Sequence, residues 1–462
     1  MSVLVFILCV IVIVVTAIYL YRKLNPQGVL MLSGLVMLTL TLILNINPII
    51  PVNPTGSVAF DLIKIIEETF IGNLSRAGLM IMAIGGYVAF MNHIQATNAL
   101  VYLSMKPLGF FRRYPYLAAT LTIPIGQMLF ITTPSATGLG LLLVASVYPV
   151  LIGLGVSRLS ALSVIAASTL FDQGPGSANT ALAAELIGKT NVTYFISHQL
   201  PLVVPTTIVV MTLFYFNNKY FDKKKTDKHN TENKQNNTVS RTVSKPKVPL
   251  FFALLPVLPL ALLIFFSSYV GICKPPITLN TTTSMIFSLF VSLIFVAYHK
   301  RNIRETFEAF SSFWKGMGNV FASVVTLIVA SEVFSKGLIS LGFIDSLVNY
   351  SSHIGLSGMT IAAVFAFIIF CAAMLMGSGN AAFFSFGPLL PQIAAQLGMP
   401  VYSLVLPLQL SASMGRAASP IAGIIVAIAG VAGVSPIELA QRNTLPLVGS
   451  ILFLIIYHFM TI

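Results

Sequence analysis

Phe171-Asp172-Gln173-Gly174-Pro175-Gly176-Ser177-Ala178-Asn179-Thr180 lies in the middle of an otherwise apolar stretch that runs from Leu159 to Ile187. A helix that crosses a bilayer needs about 20 apolar residues, and this run is cut at its centre by an acid, an amide, a proline and two glycines, which do not continue a helix. Lipid cannot hydrogen-bond the backbone groups that such a cut frees, so it persists only inside protein or beside a wet cavity. The pattern returns at Gly415-Arg416-Ala417-Ala418-Ser419-Pro420, within Leu408 to Gly430. Upstream of each, a shorter break separates two apolar runs: Pro134-Ser135-Ala136-Thr137-Gly138 and Gly377-Ser378-Gly379-Asn380.

The breaks recur because the chain repeats. Leu200-Pro201-Leu202-Val203 returns as Leu445-Pro446-Leu447-Val448, 245 residues on, while Gly155-Val156-Ser157 faces Gly398-Met399-Pro400 and Ser135 faces Ser378, both 243 residues on. The spacing predicts a first membrane repeat over 1–216, with a hairpin at 115–155 and a broken helix at 158–189. A second is expected over 249–462, with a hairpin at 358–397 and a broken helix at 401–433. Between them, 217–248 is rich in Lys, Asn and Thr, carries nine Lys/Arg against three Asp/Glu, and reads as a mobile linker.

Composition agrees with a membrane protein. Of 462 residues 56% are hydrophobic and 8% charged, with a mean hydropathy of +0.91, whereas soluble domains carry about a quarter charged residues. Runs such as Val3 to Leu20 are apolar all round, which excludes the alternation of a membrane β-barrel. The N-terminal run lacks a cleavage site and reads as a retained first helix. The expected class is an all-α polytopic membrane protein.

Lys and Arg accumulate in cytoplasmic loops. If the hairpins are re-entrant, 20 of the 26 basic residues fall on the cytoplasmic side, including the linker, five fall outside, and Arg416 is left within the membrane. The first hairpin then enters from the cytoplasm and the second from outside, giving inverted-topology repeats whose discontinuous helices meet at the midplane, an architecture of secondary transporters. The net charge of +13 is thereby a topology signal rather than a sign of nucleic-acid binding.

Each half-helix that starts at a break presents free N–H groups and a partial positive charge, which suits a carboxylate, while exposed C-terminal ends suit a cation. Ser135, Thr137, Gly138, Ser177, Asn179, Thr180, Ser378, Gly379, Asn380 and Ser419 are short hydrogen-bonding or backbone-exposing residues at these breaks, and are the candidate substrate-binding residues. Arg416 joins them, because an intramembrane guanidinium costs at least about 2.5 kcal/mol unless it meets a partner or cavity. That partner is either an anionic substrate or Asp172 of the other repeat. Asp172 is also the coupling-ion candidate, for H+ or Na+. Glu332 reads as an interfacially solvated residue.

Other chemistries find no support. The three cysteines are far apart, the six histidines make no metal-spaced pair, and neither a GxxxxGK[ST] loop nor a nucleophile–base constellation stands out. No metal, cofactor or enzymatic role is expected.

Together, Ser135-Ala136-Thr137-Gly138-Leu139-Gly140, Gly377-Ser378-Gly379-Asn380-Ala381 and Met414-Gly415-Arg416 with Ser419-Pro420 resemble the anaerobic C4-dicarboxylate carrier family of the DcuC type, over most of both halves. The resemblance implies a bacterial inner-membrane carrier of fumarate, succinate or malate, working by exchange or cation-linked transport. It further implies membership of the ion-transporter superfamily, with an elevator-type mobile domain and a homodimer. It assigns Ser135, Ala136 and Thr137 to one substrate-holding tip and Ser378, Gly379 and Asn380 to the other. The runner-up on the same plan is an Na+/H+ antiporter or an exchanger of amino acids or other carboxylates.

Overall fold

The computed structural model describes residues 2–22, 24–46, 49–105, 113–228, 248–267, 277, 279–343, 346 and 357–461. Every regular element among them is helical. Among the described residues seven helices are long and apolar enough to cross a membrane, and the pair Leu79–His93 and Ala96–Met105, bent by 77°, makes an eighth if counted as one span. Their outward faces carry large apolar side chains such as Ile43, Phe287, Ile294 and Met460, which suits lipid rather than water.

The first repeat's hairpin consists of Pro115–Thr132 and Ala136–Ser146, extended by Tyr148–Gly153, and its broken helix of Arg158–Ala167 and Ala178–Leu186. The second repeat gives Gly358–Met376 and Gly379–Phe386, extended by Leu390–Gln396, then Val401–Ala417 and Gly423–Ala432. Each hairpin ends at a glycine with positive φ, Gly155 (+89°) and Gly398 (+64°), a backbone state that side chains disfavour. The correspondence extends to the long helices upstream. Val58–Asn73 and Leu79–His93 are joined by a π-helical segment, Leu74–Gly78, and Ile303–Val320 and Thr326–Ser340 by another, Phe321–Val325.

These upstream helices interlock across the repeats. Pro26–Leu44 packs on Thr326–Ser340, and Leu79–His93 on Ile303–Val320. Close approach needs small residues: a Cβ on Gly34 would lie 2.7 Å from the backbone nitrogen of Phe334, and one on Gly316 2.8 Å from the carbonyl of Gly85. Glu332, expected to be solvated, instead accepts from Asn73 Nδ2 at 2.6 Å and pairs with Lys336 at 3.3 Å, and thus ties the two halves together.

The linker begins later than its composition suggests. The last helix of the first repeat, Leu200–Lys228, continues through 217–228 and packs against Pro436–Thr461; residues 229–247 lie outside the described residues. The reason is Asp222, which is buried and accepts from Arg442, Ser157 Oγ (2.8 Å), Ser160 Oγ (2.8 Å) and Tyr116 Oη (3.1 Å). Arg442 is equally buried and lies over the Phe221 ring.

Candidate functional site

The two broken helices and two hairpin tips converge. At the first break, Gly174 takes φ +95° and its backbone lies against Ile131, at the end of the first hairpin's leading arm, so tightly that a Cβ would sit 2.6 Å away. The same hairpin reaches the second break through Thr137, whose Oγ1 lies 3.2 Å from the Cβ position of Gly423. The second hairpin does the converse. Gly377 (φ +70°) packs on Ile421 in the second break, and Asn380 Oδ1 accepts from Asn179 Nδ2 of the first at 3.2 Å. Each tip therefore touches both breaks.

Three of the four serines are helix N-caps. Ser135 Oγ accepts from the Gly138 N–H, Ser177 Oγ from those of Asn179 and Thr180, and Ser378 Oγ from that of Ala381, while Ser419 Oγ accepts from the Ile421 N–H inside the second break. Such a cap stabilises a helix start by about 1 kcal/mol and consumes one of four orphan donors, leaving others to face the site. Gly379 is buried, and its Cβ position lies 2.9 Å from the Ala412 carbonyl, so only glycine fits that tip.

Asp172, Ser177, Asn179 and Asn380 form one cluster. The carboxylate accepts from Ser177 Oγ at 2.6 Å and from Asn179 Nδ2 at 3.0 Å, and all but Asn380 are almost wholly buried. Thr180 points elsewhere, accepting from Gln199 Nε2 at 3.0 Å.

Arg416 does not form an ion pair with Asp172. Its Nη2 donates to the Thr169 carbonyl at 2.6 Å, its guanidinium lies 5.8 Å from the Phe130 ring centroid, and its buried Nε has no partner. The pairing expected as one alternative is thus absent, since the arginine caps the exposed carbonyl end of the first broken helix instead. A cationic group at a helix C-terminus is favoured by the local dipole as well as by the hydrogen bond.

Residues that the sequence reading passed over do the remaining work at the breaks. Gln409 Nε2 donates to the Asp172 carbonyl (3.2 Å), Gln199 Oε1 accepts from the Gly174 N–H (3.1 Å), and Asn191 Nδ2 donates to the Pro175 carbonyl (3.0 Å). Tyr194 Oη donates to Gln409 Oε1 at 2.7 Å, locking the amide. At the second break, Asn443 Nδ2 donates to the Ala417 carbonyl at 3.0 Å and its Oδ1 accepts from Ser163 Oγ at 2.7 Å. The available signal was a lone amide in the middle of an apolar span. Among the described residues no group of three or more His, Cys, Asp or Glu is placed to hold a metal.

A multi-pass helical protein in which paired discontinuous helices and hairpin tips enclose buried polar groups has the fold of a secondary transporter. The chain is similar over its length to solved transporters of this kind: Neisseria gonorrhoeae MtrF, described among a class of antimetabolite efflux pumps, superposes with a TM-score of 0.63 at 13% identity, covering 96% of this chain and 97% of that one. The Alcanivorax borkumensis YdaH transporter gives 0.59, also at 13%, covering 94% and 98%. Residues 4–462 match the model of the family described as C4-dicarboxylate anaerobic carrier, DcuC, and the chain belongs to that family. The anaerobic C4-dicarboxylate transporter DcuC of Escherichia coli K12 is 29% identical over 448 residues, 97% of this chain and 94% of that protein. A Vibrio cholerae protein named "Probable anaerobic C4-dicarboxylate transporter DcuC" is 30% identical over 440 residues, 95% of this chain and 94% of that protein.

Proposed function

We propose that the protein is a secondary active carrier of C4-dicarboxylates such as succinate, fumarate and malate in the bacterial cytoplasmic membrane, with the linker that follows Lys228 on the cytoplasmic side. The observation that carries this reading is Arg416. A half-buried guanidinium spends one nitrogen on a carbonyl and keeps its buried Nε without a partner, at a junction where helices starting at Ala136, Ala178, Gly379 and Gly423 turn their N-termini inward. That combination suits a carboxylate, and the names of the relatives support the C4 class.

Charge balance supplies the reason for coupling. Arg416 and Asp172 together are neutral, so a dianion would leave the site with two uncompensated negative charges, a large cost in a low-dielectric interior. Exchange of one dianion for another avoids the problem, and uptake with protons or Na+ through Asp172 solves it. Residues 115–189 and 358–433 would move as a unit against the upstream helices, in a homodimer. The substrate carboxylates would be held by the tips at Ser135, Thr137 and Gly138 and at Ser378, Gly379 and Asn380, with Ser177, Asn179, Thr180 and Ser419 framing the breaks.

The test is uptake of labelled succinate into proteoliposomes, empty or preloaded with fumarate, with and without proton and Na+ gradients. Uptake that needs internal fumarate identifies an exchanger, and gradient-driven uptake into empty vesicles a symporter. The buried, hydrogen-bonded Asp172 favours one rival, an Na+/H+ antiporter or amino-acid exchanger. Transport lost in Asp172→Asn but spared in Arg416→Ala would select it.

A further inference from the structure

Asn179 sits between the central carboxylate and the tip of the second hairpin, and its amide is fully committed on one side and idle on the other. Both contacts use Nδ2, one to Asp172 Oδ2 and one to Asn380 Oδ1, while the buried Oδ1 of Asn179 has no partner. An unpaired acceptor beside a buried carboxylate is costly unless another state uses it. The first hairpin shows no counterpart, because Ser135 caps its own helix and no described side-chain hydrogen bond ties Thr137 to the second break. One tip is hydrogen-bonded to the opposite repeat, and the other meets it through packing alone, Thr137 against Gly423 and Gly140 against Ile424.

We propose that Asn179 is a latch that couples occupancy of Asp172 by a cation to release of the 377–380 tip. While Asp172 is a bare carboxylate it can only accept, so it holds Asn179 with Nδ2 inward and the second N–H of that group on Asn380. A proton or a Na+ ion on Asp172 reverses the demand: either one needs an oxygen. The amide rotates, Oδ1 turns to the O–H or the ion, Nδ2 leaves with it, and Asn380 loses its donor. No covalent bond changes. Arg416 and Tyr194 are the charged and titratable side chains that face this cluster from the packed helices; Ser177, Gln199, Gln409 and Asn380 are neutral. The inference rests on the carrier reading in taking Asp172 as the coupling group, but it names a different actor and a different event.

The experiment reads the tip directly. The full chain, with Cys9, Cys273 and Cys371 replaced by Ser and Met376→Cys as reporter at the end of the helix leading into the tip, is reconstituted and labelled with a membrane-impermeant maleimide from each face, without substrate. The parent should label slowly in alkaline, Na+-free buffer and about tenfold faster when protons or Na+ are raised, a factor of the size one net hydrogen bond sets; separate proton and Na+ arms identify the cation. Asn179→Ala and Asn380→Ala should label fast in every buffer, with the double variant no faster than either single one. Slow, ion-responsive labelling in Asn380→Ala, or additive effects in the double variant, would overturn the latch. Succinate uptake by the same vesicles separates the two readings. Uptake absent with the labelling pattern intact removes the dicarboxylate substrate alone, and uptake intact with labelling indifferent to ions removes the latch alone.

Discussion

The Nη2 of Arg416, in the second repeat, donates to the main-chain carbonyl of Thr169, in the first, at 2.6 Å. The contact fixes where the guanidinium stands without neutralising it, so its charge stays available to a ligand. Arg416→Ala is expected to lower succinate uptake by at least about 100-fold, the scale of a lost charge-assisted contact together with an unsatisfied carbonyl. Arg416→Lys keeps a donor for Thr169 but not the planar fork, and should raise KM about tenfold while the protein stays folded. A lysine variant indistinguishable from the parent would argue against carboxylate recognition at this position.

Buried charge makes the Asp222–Arg442 pair a stability determinant remote from the breaks. Asp222→Ala strands a guanidinium that is already missing a partner at Nη1, and should destabilise the protein by about 3–5 kcal/mol. Asp222→Leu combined with Arg442→Met should recover much of that loss. Thermal unfolding in detergent distinguishes the cases, and equal melting of the single and double variants would contradict the pairing argument.

Gln409 serves three groups at once: the Asp172 carbonyl, Tyr194 Oη and Gln199 Nε2. Gln409→Leu is nearly isosteric and leaves all three without it, so the expected cost is about 1–3 kcal/mol for each group that water cannot reach. Tyr194→Phe removes one donor and should cost about 1 kcal/mol. If thermal unfolding ranked these two variants the other way, the amide would not be the keystone of the break.

Two glycines separate packing from propensity. A Cβ on Gly415 would lie 2.2 Å from the Phe370 carbonyl, which forces Gly358–Met376 and Val401–Ala417 apart, whereas one on Gly153 meets nothing within 4 Å. Gly415→Ala should therefore abolish accumulation of folded protein, and Gly153→Ala should be neutral or stabilise by about 0.5–1 kcal/mol. Expression and size-exclusion profiles of the two variants provide the check.

The breaks were legible in the sequence because glycine, proline and small polar residues contrast sharply with a 20-residue apolar background, and the repeat was legible because the contrast recurs at a nearly constant interval. The fold follows from those two facts. What closes the breaks was not legible. Gln199, Gln409, Asn191 and Asn443 acquire meaning from partners on other helices, and pattern along the chain carries no such information. Asp222 was hidden differently: its surroundings in sequence are those of a charged linker, while in space it belongs to the start of the first broken helix through Ser157 and Ser160. Arg416 was recognised as exceptional, but its actual partner, a carbonyl, has no side-chain signature at all.

The capping of Thr169 and Asp172 carbonyls by Arg416 and Gln409 spans 247 and 237 residues of chain. At roughly 5–20 residues per second of synthesis, the first broken helix waits on the order of 10–50 seconds after insertion before the groups that complete it leave the ribosome. During that interval the Thr169 carbonyl lacks its arginine and the Asp172 carbonyl keeps only a long 3.4 Å contact from Ser177 Oγ, so the segment is not yet in its final form. Biogenesis therefore has a built-in order, in which the first half is held open at its own centre until the second half arrives to close it.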